Sequence, residues 1–386
     1  MNRKLRMGMV GGGPGAFIGD VHRKAARLDG QIEIVAGAFD IDPRKSKQMG
    51  KELAIDSKRI YGDVSAMIEG ERALPEDERI DFVSVCTPNH THFPIAKAFL
   101  EAGFHVMCEK PMTLSVAEAE ELKLVVQKSK KVFGLMHNYT AYPMVKLARD
   151  MVRQGDIGRI RKVIVQYPQG WLARALENEG SQQAAWRTDP KRSGIAGCMG
   201  DIGTHAANLA EYITGLTIRE VAADLTTFVK GRRLDDDGNC LLRFSKGAKG
   251  LLHASQVSIG QENNLAIWIH GEDGSIEWHQ EHPNWLYVDT LGAPTRIWKR
   301  GNDYIGKKSA AAGRATRLPF GHPEAFLEAF ANNYCNFADT IRAKNARKQP
   351  TDLEKDFPGI KEGVLGMKFI EAVVKSSKKN AAWTKL

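Results

Sequence analysis

The sequence contains no apolar run near the roughly 20 residues that span a bilayer, no low-complexity tract and no internal repeat. Cysteine is scarce. The five thiols (Cys86, Cys108, Cys198, Cys240, Cys335) are odd in number and lack CxxC spacing. That excludes a disulfide framework or a zinc ribbon and reads as reduced, mostly buried cysteines. Neither charge sign forms a block: 55 Lys and Arg against 46 Asp and Glu give +9, but the excess is dispersed. Small basic clusters occur at Lys230, Arg232 and Arg233, at Arg296, Lys299 and Arg300, and at Lys375, Lys378 and Lys379, but no extended basic stripe interleaved with aromatics is visible. They read as solvated faces rather than a nucleic-acid surface. The opening MNRKLRMGMVGGG is basic without an apolar h-region or a small-residue cleavage site. A cytoplasmic protein that binds neither nucleic acid nor membrane is therefore expected. Ordinary charged and aromatic fractions, 26% and 8%, exclude disorder and coiled coil, and 386 residues allow two or three domains.

Short apolar runs alternate with helical patterns over the first 136 residues. Leu5–Val10, Ile32–Phe39, Phe82–Cys86, His105–Met107 and Val132–Met136 read as strands buried on both faces. Helices lie between them, as at Gly19–Leu28, Ile95–Glu101 and Ser115–Lys128, the last opening on the capping box Ser115 to Glu118. That alternation predicts a parallel α/β sheet. After Tyr139 the rhythm changes: a helix at Pro143–Arg153, a strand at Ile160–Gln166, then strand-like runs separated by turns from Ile218 to Val288. Single turns between adjacent strands predict an antiparallel sheet. Helices return at Glu324–Arg342 and Gly363–Ser376, while Ser309–Ala315 reads as a mobile small-residue loop. The expected division is a dinucleotide-binding α/β domain over 1–136 and an α+β domain with a large, mainly antiparallel open sheet over 137–386.

Chemistry gathers at strand ends. In MGMVGGGPGAFIGDVH, Gly11, Gly13 and Gly15 lie where the first strand turns into a helix, and Gly19 stands as the third glycine of a GxGxxG-like loop with three extra residues. Such a loop permits close approach of a pyrophosphate, held by the helix N-terminus. Asp40, 21 residues past Gly19, is placed to accept the adenosine ribose hydroxyls. Arg44 and Lys45 leave a 2′-phosphate, and so NADP, open beside NAD. The third strand ends in Thr87, Pro88 and Asn89, and the fourth in Glu109 and Lys110 before Pro111. Open α/β sheets put their ligand crevice at such ends. Further on, Asp201 and His205 share one face of an expected helix at i,i+4 spacing, an arrangement suited to proton transfer. No third ligand has a matching local spacing, so no metal is expected.

The combination of the glycine loop, TPN, CEKPM, WRTDP and GDIGTH resembles the glucose–fructose oxidoreductase, inositol dehydrogenase and rhizopine-catabolism (Gfo/Idh/MocA) family over nearly the whole chain. The resemblance implies a Rossmann domain followed by a domain whose open sheet is buried in an oligomer, and an NAD(P)-dependent dehydrogenase acting on a secondary alcohol of a sugar, glycoside or cyclitol. It implies that Lys110 contacts the nicotinamide ribose and the substrate hydroxyl, that Asp201 orients substrate, and that His205 transfers the proton. Trp186 and Arg187 resemble the family's Trp-Arg segment. With Asn138 and Glu109 they join the expected cofactor set, and His22 resembles a recurrent structural histidine. Tyr139, Trp171, Arg174 and His322 are candidate substrate contacts. Two alternatives are a glycoside-cleaving enzyme that uses transient oxidation and a silent nucleotide sensor. A homodimer or homotetramer is expected through the second sheet, whose strands carry apolar residues on more than one face, including Leu265, Ile267 and Trp268.

Overall fold

The computed structural model describes residues 3–386, which form two units. In the first, five parallel strands β1 (Leu5–Gly11), β2 (Ile32–Ala38), β3 (Phe82–Cys86), β4 (His105–Cys108) and β5 (Phe133–Leu135) lie in the order β2-β1-β3-β4-β5. β3 and β4 are buried at every position, as expected where helices cover both faces of a sheet. Outside β2, Ile60 makes one parallel bridge to Gly37, so the third strand of a doubly wound sheet survives here as a single residue. The strand order reverses at β1 and β3, and open α/β sheets bind ligands at such a point. Helix α1 (Phe17–Leu28) follows β1, α2 (His92–Glu101) follows β3, and α3 (Val116–Ser129) precedes β5.

The second unit is built on nine strands: β6 (Lys162–Pro168), β7 (Ile218–Thr226), β8 (Asp237–Phe244), β9 (Lys249–Ser255), β10 (Ala266–His270), β11 (Gly274–His279), β12 (Trp285–Thr290), β13 (Arg296–Lys299) and β14 (Thr384–Lys385). Their order is β13-β12-β11-β10-β6-β9-β8-β7-β14, and among the described residues β6–β9 is the one parallel pairing within this sheet. Helices α4 (Pro143–Arg153) and α5 (Thr204–Thr214) belong to this unit. On β10, Ile267 and Ile269 are fully buried while Trp268 between them faces the open side, although Ala266 is buried as well. Leu265, just before the strand, lies in the core with Ile267.

Three expectations are corrected. The segment over 137–386 is not one unit, because Phe330–Val364 belongs to the first. There helix α6 (Phe326–Asn345) sets Tyr334 and Phe337 against Phe82. Ser309–Ala315 is not a mobile loop but a short helix, Ala310–Arg314. The Ser309 hydroxyl caps its N-terminus, and Gly313 approaches Gly306 so closely that an added Cβ would lie 2.9 Å from the Gly306 Cα. Arg232 and Arg300 do not belong to solvated faces. Arg300 pairs with Glu324 at 2.6 Å, and Arg232 with Glu177 at 2.8 Å and Asp236 at 3.3 Å, all with nearly inaccessible guanidinium groups.

Candidate active site

The first unit offers backbone rather than side chains. Gly11 and Gly12 adopt left-handed φ values of 81° and 73°, a region where a Cβ is strained. A Cβ on Gly11 would stand 2.6 Å from the Cys86 carbonyl, and one on Gly13 2.9 Å from Asp40 Oδ2. Gly19 packs directly on Gly12, which makes it the glycine of close helix–strand contact despite the longer loop. Helix α1 has no side-chain cap, since Ala16 holds the N-cap position. The amides of its first turn therefore point out of the helix with no internal acceptor. Gly15, at φ 78°, has nothing within 4 Å of an added Cβ. Close main-chain approach, uncapped helix amides and a carboxylate beside the loop fit a dinucleotide pyrophosphate and ribose.

Asp40 also accepts from the Asp42 amide at 2.9 Å, and Asp42 holds Arg44 at 3.0 Å. Arg44 is thus engaged by a carboxylate that the sequence reading left out. Beside Asp40, Ile41 is fully exposed.

The turns after β3 and β4 are tied together. Thr87 and Pro88 lead into a single 3-10 turn, Asn89–Thr91, before α2, and Asn89 is buried. His92 Nε2 lies 2.8 Å from the Thr87 carbonyl and Nδ1 2.7 Å from that of Pro111. Burial pushes the His92 pKa down. This histidine went unnoticed, although it follows TPN by three residues. The Lys110–Pro111 peptide is cis. Glu109 receives the Lys110 amide on one oxygen at 3.1 Å and faces His22 Nε2 with the other at 2.8 Å. His22 Nδ1 in turn meets the Tyr334 hydroxyl at 2.6 Å, and Ser84 joins that hydroxyl at 2.9 Å. Burial opposes a charge on His22, yet the surrounding Cys86, Tyr334 and Glu109 hold its pKa well above the ordinary value.

In the second unit the side chains do the displaying. Asp201 and His205 do not lie on one regular helix: Met199–Gly203 is a π turn that runs into α5, a wider winding often found at functional positions. Its entry is held by Asp235, which accepts from the Gly197 and Met199 amides at 2.7 Å. Asp201 Oδ2 accepts from Arg187 Nε at 3.2 Å and Gln256 Nε2 at 2.9 Å. His205 is 6% exposed, with Nδ1 3.3 Å from His137 Nδ1. The Tyr139 ring stands edge-on to His205 at 4.8 Å, and its hydroxyl meets that of Tyr167 at 2.5 Å. Asn263 accepts from Tyr167 at 2.7 Å.

The other expected residues divide. Arg187 stacks on Trp186 at 4.2 Å and lies 5.8 Å from Trp171, so these three form one group with Asp201. Asn138 is buried, and among the described residues its Nδ2 has no hydrogen-bond partner, a donor left to be satisfied by something bound there. Arg174 and His322 are exposed; their carbonyls accept from Arg232 and Arg300 respectively, and the His322 ring meets the Phe320 carbonyl. Neither side chain joins the His205 or Asp201 cluster through any of these contacts. Of the residues missed, His137 carried a signal, since it lies just past the C-terminal end of β5. Gln256 carried none.

Comparison with known proteins bears on this arrangement. Residues 5–137 match the model of the oxidoreductase family with an NAD-binding Rossmann fold, and residues 145–277 the GFO/IDH/MocA C-terminal domain. An uncharacterized oxidoreductase, YfiI of Bacillus subtilis, is 35% identical over 99% of this chain and 97% of its own length. The chain belongs to the Gfo/Idh/MocA family of oxidoreductases. An inositol dehydrogenase homolog from Azotobacter vinelandii, solved with NAD+, superposes with a TM-score of 0.93 at 34% identity, covering 100% of this chain and 98% of that one. Levoglucosan dehydrogenase of Pseudarthrobacter phenanthrenivorans is 29% identical over 74% of this chain and 76% of its own. The protein is thus an NAD-binding oxidoreductase with sugar and cyclitol dehydrogenases among its relatives. Among the described residues, no helix is long and apolar enough to cross a membrane.

Proposed function

We propose that the protein oxidises a secondary alcohol of a sugar, glycoside or cyclitol, with NAD preferred over NADP. The observation that carries this reading is the pairing in the second unit of a buried imidazole, His205, with a carboxylate, Asp201, held by Arg187 and Gln256. The levoglucosan and inositol dehydrogenases among its relatives support the substrate class. His205 accepts the hydroxyl proton, and Asp201, fixed on one oxygen by two donors, orients neighbouring hydroxyls. Lys110, at the end of β4, stabilises the developing alkoxide with its ammonium charge. When bound, NAD supplies the hydride acceptor; Gly11, Gly13, Gly15, Gly19, Asp40, Thr87, Pro88 and Asn89 would hold it. A carboxylate at Asp40 favours ribose hydroxyls over a 2′-phosphate, and Asp42 already engages Arg44.

The reading includes a homo-oligomer built on the open face of the nine-stranded sheet. Leu241, Leu251, Ile164 and Trp268 stand side by side on four adjacent strands, and Tyr287 and Ile297 extend the row beyond Glu277. Leu241 and Leu251 are 49% and 37% exposed, and a continuous apolar row of this extent marks an association surface. A cytoplasmic, reducing location accords with five free thiols, four of them buried.

The test is a panel of sugars, glycosides and cyclitols offered with NAD or NADP, read by reduced-nicotinamide absorbance. Turnover with a ring alcohol and NAD is expected. Bound cofactor that returns unchanged while a glycoside is cleaved would overturn the reading.

A further inference from the structure

His137 stands against His205 in a way that the assigned chemistry does not use. The two Nδ1 atoms are 3.3 Å apart, both rings are buried, and their planes cross at 88°. Two imidazole nitrogens at this distance need one proton between them, and each ordering has a different consequence. If His137 donates, His205 carries its own proton on Nε2 and has no lone pair there to receive another. If His205 donates through Nδ1–H, its Nε2 bears the lone pair.

We infer that His137 is the positioning residue for His205, accepting its Nδ1–H and so fixing the tautomer in which Nε2 is the base. This rests on the reading of His205 as the proton-transfer group. The proton then moves from the substrate hydroxyl oxygen to Nε2: the O–H bond breaks and the Nε2–H bond forms, while Nδ1–H stays in place. The resulting imidazolium is stabilised because its Nδ1–H bond to His137 becomes charge-assisted. The backbone around His137 is fixed, since the Thr140 hydroxyl donates to its carbonyl at 3.0 Å. Among the contacts of the described residues, titratable and charged groups near the pair include Tyr139, Tyr167 and, one turn back, Asp201 with Arg187. Lys146 and Arg149 on α4 meet α5 at Tyr212, two turns further on. An orienting partner of this kind acts as the buried carboxylate does in a hydrolase triad, through tautomer and ring angle.

The test uses the full chain labelled with nitrogen-15 in histidine, together with His137→Phe and His137→Asn. Phe keeps a ring but removes the acceptor, and Asn restores an oxygen near the Nδ1 position. In wild type above its transition, the His205 nitrogen shifts should report Nδ1–H and a bare Nε2. In His137→Phe they should move toward the Nε2–H form, kcat should fall by about 10- to 100-fold, and NADH affinity should hold. The acid limb of kcat/KM should also move to lower pH in His137→Phe, and His137→Asn should bring both kinetic effects back. A bare Nδ1 on His205 in wild type overturns the inference even if the Phe variant does not fold. So does a Phe variant with unchanged tautomer, kcat and pH limb. If His205→Ala itself keeps near-normal turnover, the reading of His205 fails first and the role of His137 with it.

Discussion

The two units present chemistry in opposite ways. In the first, function is written in what is missing: no Cβ at Gly11, Gly12 and Gly13, and no cap on α1. These residues lie within one strand–turn–helix, and the groups that exclude a Cβ there, the Cys86 carbonyl and Asp40, come from the neighbouring strand ends. In the second, Asp201 and His205 are held by Arg187, Gln256 and His137, which come from three separate stretches of chain. A cofactor common to many enzymes needs a generic cradle, whereas proton transfer to one class of substrate needs side chains fixed by their neighbours.

Breaking the cradle should have the largest effect on cofactor affinity. A side chain at Gly11 meets the Cys86 carbonyl and Thr87 while being forced to φ 81°. Gly11→Val should therefore lower NADH affinity by about 100-fold or more, a loss near 2.7 kcal/mol. It should also lower the melting temperature; titration of NADH fluorescence and thermal unfolding read the two. If affinity is unchanged, the dinucleotide does not lie on this loop.

Asp40→Ser sharpens the comparison within the first unit. Removing the carboxylate beside Gly13 should shift the NAD-to-NADP ratio of kcat/KM toward NADP by about 10-fold, without moving substrate KM. Wild-type preference for NADP would remove Asp40 from its assigned role.

The first unit also carries its own pH dependence. His105 is buried and its Nδ1 accepts from the Val132 amide at 2.7 Å. Burial, aided by Lys131 and Lys344, pushes its pKa down to about 3. The unfolded chain takes up a proton near pH 6.5 that the folded chain refuses, so stability is full above that pH and is lost as pH falls toward the folded value. The loss approaches about 1.4 kcal/mol per pH unit. His105→Asn, which keeps an acceptor for Val132 but does not titrate, should flatten denaturant stability between pH 4 and 6, a window within the range just described.

Smallest in energy is the effect on the second sheet. Trp268→Glu, with Leu251→Glu as a companion, should leave the fold intact and shift light-scattering mass toward the monomer. Wild type that is already monomeric at micromolar concentration would contradict assembly through this face.

The same contrast explains what could be read in advance. Strands buried on both faces announce themselves as apolar runs, and β3 was placed at its observed limits, Phe82–Cys86. That Asp40 lies beside the glycine loop could be read in advance, because its spacing from the loop is set by one helix and one strand. The return of Phe330–Val364 to the first unit was not legible, because an amphipathic helix does not say which core it covers. Nor was the π turn, whose extra residue leaves the i,i+4 spacing of Asp201 and His205 unchanged. Arg232 and Arg300 looked like surface charge until Glu177, Asp236 and Glu324, distant or merely downstream in sequence, closed around them.

The division of labour between the units is tested most directly by His205→Ala, with turnover and NADH affinity measured on the same preparation. Turnover should fall by about 10²- to 10⁴-fold, the usual worth of a positioned acid–base group, while the NADH dissociation constant stays within about twofold of wild type. Near-normal turnover, or a loss of activity matched by an equal loss of NADH affinity, would contradict it.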